Sequence, residues 1–348
     1  MKHAQLALIG FGVVGQGFAR LLSTKHDLLK QLYDLDISLV SVANARHGFI
    51  YREGGLDIHT LLELAAAGCP LTTYPGITSW EKPLEGLRTM HADVLVEATP
   101  TNLRDAEPGI SHIRTALSQG MHVVTANKGP AALAASELLE LAHLHNVQLR
   151  MEATVMAGTP VISTIREGMA GAKVHAIRGI LNGTTNYILS AMATGRDYAE
   201  VLADAQAQGY AETDPTADVE GYDAVAKTLI LSALVFGRSL KPHEVARQGI
   251  TTITREQVQR AADLGQRIKL IASLRLHSDN DGNEAALDAR VEPIALPLSN
   301  PLARVDGVMN AISIQADTLS EVTIIGPGAG GIQTGQGLLA DVIACARA

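Results

Sequence analysis

The chain has 348 residues, 47% of them hydrophobic and 18% charged, with 28 Lys and Arg against 36 Asp and Glu for a formal charge of -8. This composition supports a sizeable core, most simply in two globular domains, and its acidic balance with scattered basic residues argues against nucleic acid as a partner. The longest uncharged apolar stretch, around Leu229 to Phe236, is too short to span a membrane.

An apolar run from Gln5 to Ile9 ends in Gly10-Phe11-Gly12-Val13-Val14-Gly15, and residues 14–22 then take up helical periodicity, giving strand, glycine turn and helix. Further strands are expected at 37–43, 93–98 and 122–125, with helices at 110–119 and 130–145. Strands alternating with helices predict an α/β, Rossmann-type doubly wound parallel sheet over residues 1–151. Residues 68–90, with three prolines and Trp80, read as loop. Past Met151 the pattern changes. Strands are expected at 174–181, 270–277, 286–294, 308–315 and 321–325, and helices at 198–208 and 222–236. Because most of these strands are late and consecutive, residues 152–326 read as a largely antiparallel α+β domain. Residues 278–284, rich in Asp and Asn, read as a solvated turn. Glycines follow the first apolar run at once, so no signal peptide is expected. Cys69 and Cys345 have no metal or redox spacing, which favours a reduced, cytoplasmic compartment for a soluble, unprocessed protein.

The first glycine motif follows a strand and opens a helix, the context that dinucleotide binding requires. Gly10 permits the tight turn, Gly12 lets the backbone approach a pyrophosphate, Gly15 allows close helix–strand packing, and the helix start at Val13 and Val14 offers amides to phosphate. The second strand leads into Asn44-Ala45-Arg46-His47 with no acid for a ribose 2′-hydroxyl. Arg46 is placed to meet a 2′-phosphate, which favours NADP over NAD, although a solvent-facing loop arginine reads the same way. A second motif, Gly326-Pro327-Gly328-Ala329-Gly330-Gly331, has too little chain after it for another dinucleotide fold. It is either a loop, with Gly328 and Gly330, that folds over the nicotinamide or substrate while residues 327–348 return to the first domain, or a simple turn before a terminal helix.

Between Gly209 and Leu231 a cluster of carboxylates runs into an apolar helix on which Asp223 and Lys227, four residues apart, share a face with Ile230, Leu231 and Leu234. On an ordinary helix such a pair is a surface ion pair worth about 0.2–0.5 kcal/mol. No charge lies between Thr228 and Gly237, so this helix is expected to be buried nearly all round. A lysine there can give and take a proton, since burial lowers its pKa and anionic neighbours raise it.

With Gly10 to Gly15, Thr125-Ala126-Asn127-Lys128, Glu152-Ala153-Thr154-Val155, the 179–186 segment Gly-Ile-Leu-Asn-Gly-Thr-Thr-Asn and the Gly209 to Lys227 block in this order, the sequence resembles the homoserine dehydrogenase family over nearly its whole length. The resemblance implies reversible NAD(P)-dependent interconversion of L-homoserine and L-aspartate 4-semialdehyde, in the branch leading to threonine, methionine and isoleucine. It matches Lys227 to the family's acid–base lysine and Asp223 to the aspartate beside it. It matches Glu212 and Asp218 to substrate-contacting carboxylates, with Tyr210 beside them, and Gly183 and Thr184 to a turn that closes the substrate pocket. Lys128 matches a lysine where cofactor and substrate meet, and Thr99 a residue beside the nicotinamide. Glu152, Val155, Ala157 and Thr159 match a site for a monovalent cation, sodium in this reading, held chiefly by main-chain carbonyls. The family resemblance also implies a homodimer, with the second domain serving dimerisation. The chain stops at Ala348, so feedback through a C-terminal regulatory domain is not expected. The rival readings are another amino-acid or semialdehyde dehydrogenase, which would have no need of both Glu212 and Asp218 if its substrate lacked an ammonium group, and a non-catalytic dinucleotide sensor, which has no use for Lys227.

Overall fold

The structure, a computed structural model, describes residues 1–44, 48–277 and 286–347. Two compact units divide the chain: residues 1–158 with 329–348, and residues 159–328. Arg46 and the expected turn at 278–284 lie outside the described residues.

In the first unit the chain runs β1 (Lys2–Ile9), α1 (Val13–Thr24), α2 (His26–Tyr33), β2 (Leu35–Asn44), β3 (Gly48–Tyr51), α3 (Ile58–Ala66), β4 (Thr78–Trp80), α4 (Pro83–Leu87), β5 (Val94–Glu97), α5 (Gly109–Ser118), β6 (His122–Thr125), α6 (Lys128–Leu133), α7 (Ala135–Leu144) and β7 (Leu149–Arg150). Among the described residues its sheet has the order β4-β3-β2-β1-β5-β6-β7. The five strands β2, β1, β5, β6 and β7 are parallel, whereas β3 and β4 extend the β2 edge antiparallel. Both faces of the parallel strands are covered, so β1 buries Leu6, Leu8 and Ile9 together with Ala7 between them. Each fully buried Leu or Ile stabilises the fold by about 1.5–3 kcal/mol. The strand order reverses across β1 and β5, the place at which such sheets open a crevice beyond their carboxyl ends.

Two expectations are corrected here. Residues 68–90 are not simply loop: β4 lies in them, and Trp80 stands 5.6 Å from Phe49 and 6.4 Å from Tyr51, ring centre to ring centre. A three-residue strand is too short for its alternation to show in sequence, and its prolines flank it instead. Nor do residues 130–145 form one helix. The helix starts earlier, at Lys128, under an Asn127 cap, and breaks at Ala134, whose φ of -140° and ψ of 15° leave the helical region before α7 begins. Pro130 is tolerated because a proline in the first turn forgoes an amide that has no helical partner anyway.

The second unit runs β8 (Val174–Ile180), α8 (Gly183–Met192), α9 (Tyr198–Ala207), α10 (Thr216–Val219), α11 (Tyr222–Phe236), β9 (Ala246–Arg247), α12 (Arg255–Asp263), β10 (Gln266–Leu276), β11 (Leu287–Pro297), β12 (Met309–Ala316) and β13 (Ser320–Pro327). Its sheet has the order β13-β12-β8-β10-β11-β9 among the described residues, antiparallel throughout except where β9 joins β11. After β13 the chain returns to the first unit as α13 (Gly331–Arg347). There it crosses α1 closely: a side chain at Gly17 would collide with the Gly331 carbonyl, and one at Gly335 with the backbone of Phe18.

Lys269 on β10 is 1% exposed. Its Nζ donates to the Val305 carbonyl at 2.6 Å, Asn186 Oδ1 at 3.0 Å, Ser190 Oγ at 3.1 Å and Asp306 Oδ1 at 3.0 Å, tying β10 to α8 and to the chain before β12. Burial pushes this amine below its ordinary value of 10.5, and the Asp306 carboxylate limits the drop. A folded-state pKa below the unfolded one means that, as pH rises between the two, the unfolded chain holds more protons and the folded state gains stability. Lys269→Met removes the donor to Asn186 Oδ1 and one of the donors to the Val305 carbonyl, and is expected to destabilise by about 1–3 kcal/mol. Because only the wild type gains with pH, urea unfolding should show that deficit widening as pH is raised towards 10.5.

Candidate active site

At the carboxyl end of the first sheet the glycine turn is fixed from several sides. The Gly10 amide donates to the Ala43 carbonyl at 2.9 Å and the Ala98 amide to the Ile9 carbonyl at 2.7 Å, lacing β2, β1 and β5 together. Gly10 has a φ of 103°, and a side chain there would strike the Ala98 carbonyl; one at Gly15 would strike the Gly10 carbonyl. Gly12 is different. Nothing lies within 4 Å of where its side chain would start, and the next residue, Val13, is 78% exposed. Gly12 caps α1 without any side-chain bond, and the first turn carries no acid. Two glycines closed by backbone and one left open above a helix start make a cradle for a pyrophosphate, so these residues fit a dinucleotide.

Thr99 leaves β5 beside this turn. Its hydroxyl donates to the Glu97 carboxylate and accepts from Asn127 Nδ2 at 3.0 Å. Asn127 Oδ1 accepts from the Gly129 amide at 3.0 Å, which caps α6 and sets Lys128, half-buried, at its first position. Of the second glycine motif, Gly330 precedes α13 with a φ of 121°, while Gly328 has the Asn310 side chain packed against it.

The acid–lysine pair sits in the second unit on α11, where residues 224–232 are all buried. Lys227 is 6% exposed; its Nζ donates to the Leu181 carbonyl at 2.5 Å and lies 2.9 Å from Asp223 Oδ2. Asp223 is itself held. Asn182 Nδ2 donates to Asp223 Oδ2 at 3.1 Å and to Asp218 Oδ1 at 2.7 Å, and the other Asp218 oxygen accepts from Thr184 Oγ1 at 3.0 Å. Thr184 also meets the Tyr210 carbonyl at 2.7 Å. Asn182 Oδ1 accepts from the Thr185 amide at 2.9 Å and caps α8, so Gly183 and Thr184 form the first turn of a helix rather than a free turn.

The Tyr210 ring stacks 5.1 Å from Tyr187, whose hydroxyl donates to Asp204 at 2.7 Å. Hydrogen bonds from Tyr187, Gln208 and Arg196 hold the Asp204 carboxyl at about 2. This acid therefore stays ionised and holds the Tyr187 hydroxyl in place beside Tyr210.

Thus Lys227, Asp223, Asp218, Thr184 and the Tyr210 backbone form one bonded network. Glu212, in the exposed segment before α10, is joined to α9 through its carbonyl, which accepts from Gln206 Nε2 at 3.1 Å. Sequence reasoning quoted Asn182 without giving it a role, yet it is the donor that lets two carboxylates stand together. Its only trace is an Asn preceding Gly-Thr-Thr, which also reads as an ordinary helix cap.

Glu152 and Val155 lie in a fully buried turn that ends at Ala157, a non-glycine residue with a φ of 51°. Asp341 on α13 accepts from the Glu152 amide at 2.8 Å. Thr159, which opens the second unit, donates through its hydroxyl to the Pro327 carbonyl at 3.0 Å. Among the described residues no group of three or more His, Cys, Asp or Glu side chains could hold a metal ion, and no helix is long and apolar enough to cross a membrane.

Comparison with known proteins agrees with this geometry. Residues 10–152 match the profile described as the NAD binding domain of homoserine dehydrogenase, and residues 160–343 match the homoserine dehydrogenase profile. The chain is 38% identical over 343 residues to an NAD(+)-dependent homoserine dehydrogenase of Pseudomonas canavaninivorans, covering 99% of this chain and 96% of that protein. It is 38% identical over 339 residues to a homoserine dehydrogenase of Methanocaldococcus jannaschii, covering 97% of each. A crystal structure of a putative homoserine dehydrogenase from Archaeoglobus fulgidus superposes with a TM-score of 0.85 at 34% identity, over 98% of both chains. A hyperthermophilic archaeal homoserine dehydrogenase in complex with NADPH superposes at 0.82 with 28% identity, over 99% of this chain and 97% of that one.

Proposed function

Since the chain belongs to the homoserine dehydrogenase family, an NAD(P)-dependent oxidoreductase acting on a CH–OH group, we propose that Lys227 moves the proton in the interconversion of L-homoserine and L-aspartate 4-semialdehyde. The nicotinamide supplies the hydride. In the reductive direction, hydride adds to the aldehyde carbon while the Lys227 ammonium gives a proton to the developing alkoxide; in the oxidative direction the amine takes the hydroxyl proton back. The observation that carries this is a buried lysine whose Nζ is aimed by Asp223 and the Leu181 carbonyl. Both acceptors fix the position of the amine on a buried helix, as a proton donor to one reacting oxygen requires. Asp218 and Glu212 are assigned to the substrate ammonium, for which acceptor-only groups are suited. Gly183, Thr184 and Tyr210 shape the same pocket, and Lys128 and Thr99 serve the cofactor side, where Lys128 also stabilises negative charge on the reacting oxygen.

The reading is tested by following nicotinamide reduction with L-homoserine and with 4-hydroxybutanoate, which has the same alcohol but no ammonium group. Turnover of L-homoserine alone supports it; equal rates would favour the rival dehydrogenase that has no use for Asp218 and Glu212.

NADP is the cofactor of this reading, because β2 ends at Asn44 with no acid at its tip and Arg46 follows. Arg46→Ala is expected to raise the KM for NADPH by about tenfold, the scale of one lost charged pair, and to leave that for NADH almost unchanged. A wild type that prefers NADH, as the name of the Pseudomonas relative would have it, overturns this assignment. Glu152, Val155, Ala157 and Thr159 are assigned to a sodium ion: one buried carboxylate with main-chain carbonyls is a hard-oxygen donor set. Thermal unfolding in sodium chloride against choline chloride of equal strength reads that site, with a higher Tm in sodium expected. A cytoplasmic homodimer completes the reading. Its support is the family and an eight-residue edge strand, β13, that exposes Ile325.

A further inference from the structure

One buried carboxylate of the first unit, Glu97, is not among the residues assigned above. Glu97 ends β5 in the run Val-Leu-Val-Glu with 0% exposure, in a place where apolar packing alone would call for another aliphatic residue. Burying a carboxylate costs several kcal/mol unless hydrogen bonds replace its water. Here they do. Oε1 accepts from the Thr99 hydroxyl and from the Thr99 amide at 3.2 Å, and Oε2 accepts from Thr125 Oγ1 at 3.2 Å. His112 of α5, 3% exposed, sets Nδ1 3.7 Å from Oε1.

These bonds end at Asn127. Its amide donates to Thr125 Oγ1 at 2.9 Å and its Nδ2 to Thr99 Oγ1 at 3.0 Å, while its Oδ1 caps the helix that Lys128 begins. Each threonine hydroxyl already accepts a bond from Asn127, so its own proton must go to an acceptor, and Glu97 lies between the two. The carboxylate thereby orders the Thr99 hydroxyl, and it shares the Thr125 proton with its own main-chain carbonyl, 3.1 Å from Thr125 Oγ1. It fixes the exits of β5 and β6, and β5 borders the point where the sheet order reverses.

We propose that Glu97 is the positioning residue of the cofactor side: through Thr99, Thr125 and Asn127 it sets Thr99 and the Lys128-bearing turn of α6 in their working geometry. The proposal rests on the assignment of Thr99 and Lys128 to that side. Glu97 touches neither substrate nor cofactor itself, so its loss acts on rate more than on binding.

The experiment compares Glu97→Ala, Glu97→Gln and Thr125→Val with wild type for kcat, KM for L-homoserine, NADPH affinity by nicotinamide fluorescence, and Tm. Glu97→Ala is expected to lower kcat about 10²-fold, the scale of a 1 Å misplacement, with KM for L-homoserine unchanged. Glu97→Gln keeps an oxygen towards Thr99 and is expected to restore most of that rate. A merely structural role would move Tm without this rescue. Thr125→Val is nearly isosteric, so it stays testable if Glu97→Ala does not fold, and about a tenfold loss in kcat is expected. Wild-type kcat in folded Glu97→Ala, or in Thr125→Val, overturns the proposal. Lys128→Ala separates the two readings: if it is slow while Thr125→Val is not, only the Glu97 role fails, whereas a fully active Lys128→Ala removes the assignment on which that role depends.

Discussion

Lys227→Ala is expected to lower kcat by about 10²–10⁴-fold, the range of a lost general acid–base group, while NADPH affinity stays close to wild type. The cofactor cradle lies at Gly10 to Gly15 in the first unit and Lys227 on α11 in the second, so the substitution leaves the glycine turn intact. Lys227→Arg should fail as well. A guanidinium does not deprotonate in a protein, and its planar fork cannot occupy the position of an Nζ held 2.5 Å from the Leu181 carbonyl and 2.9 Å from Asp223. Assays of turnover and NADPH binding on both variants decide the matter. Substantial turnover in Lys227→Arg would mean that a fixed positive charge suffices, and the proton-transfer role would fall.

Asn182 carries the second large effect. One amide nitrogen donates to Asp218 and Asp223 together, and Asn182→Ala takes that shared donor away beside Lys227. Repulsion between the two carboxylates would then push them apart, which would weaken both the aim of Lys227 and the grip on the substrate ammonium. Asn182→Ala is therefore expected to cut kcat/KM about 10²-fold and, through the lost cap on α8, to cost about 1 kcal/mol of stability. Asn182→Ser separates these contributions. Serine caps the helix but cannot span two aspartates, so it should keep most of the Tm and lose most of the activity. Wild-type kinetics in Asn182→Ser would show that the bridge is dispensable.

What the sequence made legible follows from which interactions leave a local pattern. The parallel sheet was readable because buried strands are short apolar runs, and the glycine turn because backbone approaches exclude a side chain at Gly10 and Gly15 while Gly12 leaves the helix start open. The burial of α11 was readable from its uncharged span, and Asp223 and Lys227 from helical spacing. Strand β4 was hidden because three residues are too few for periodicity, and Trp80 finds Phe49 only when β3 brings it there. The break at Ala134 was hidden because nothing in Ala-Ala-Leu-Ala-Ala disfavours a helix, so context overrode propensity. Asn182 and Glu97 were passed over for a related reason. Their partners lie 36 and 41 residues away for Asn182, and 28 for the Thr125 hydroxyl on Glu97, and no spacing rule reaches that far.

Purified protein supplied with NADPH and L-aspartate 4-semialdehyde tests the central claim most directly. The account predicts that NADPH is oxidised and L-homoserine accumulates in equal amounts, in wild type and not in Lys227→Ala. Folded wild-type protein that binds NADPH but leaves it unoxidised in the presence of this aldehyde, or Lys227→Ala that oxidises it at the wild-type rate, would contradict it.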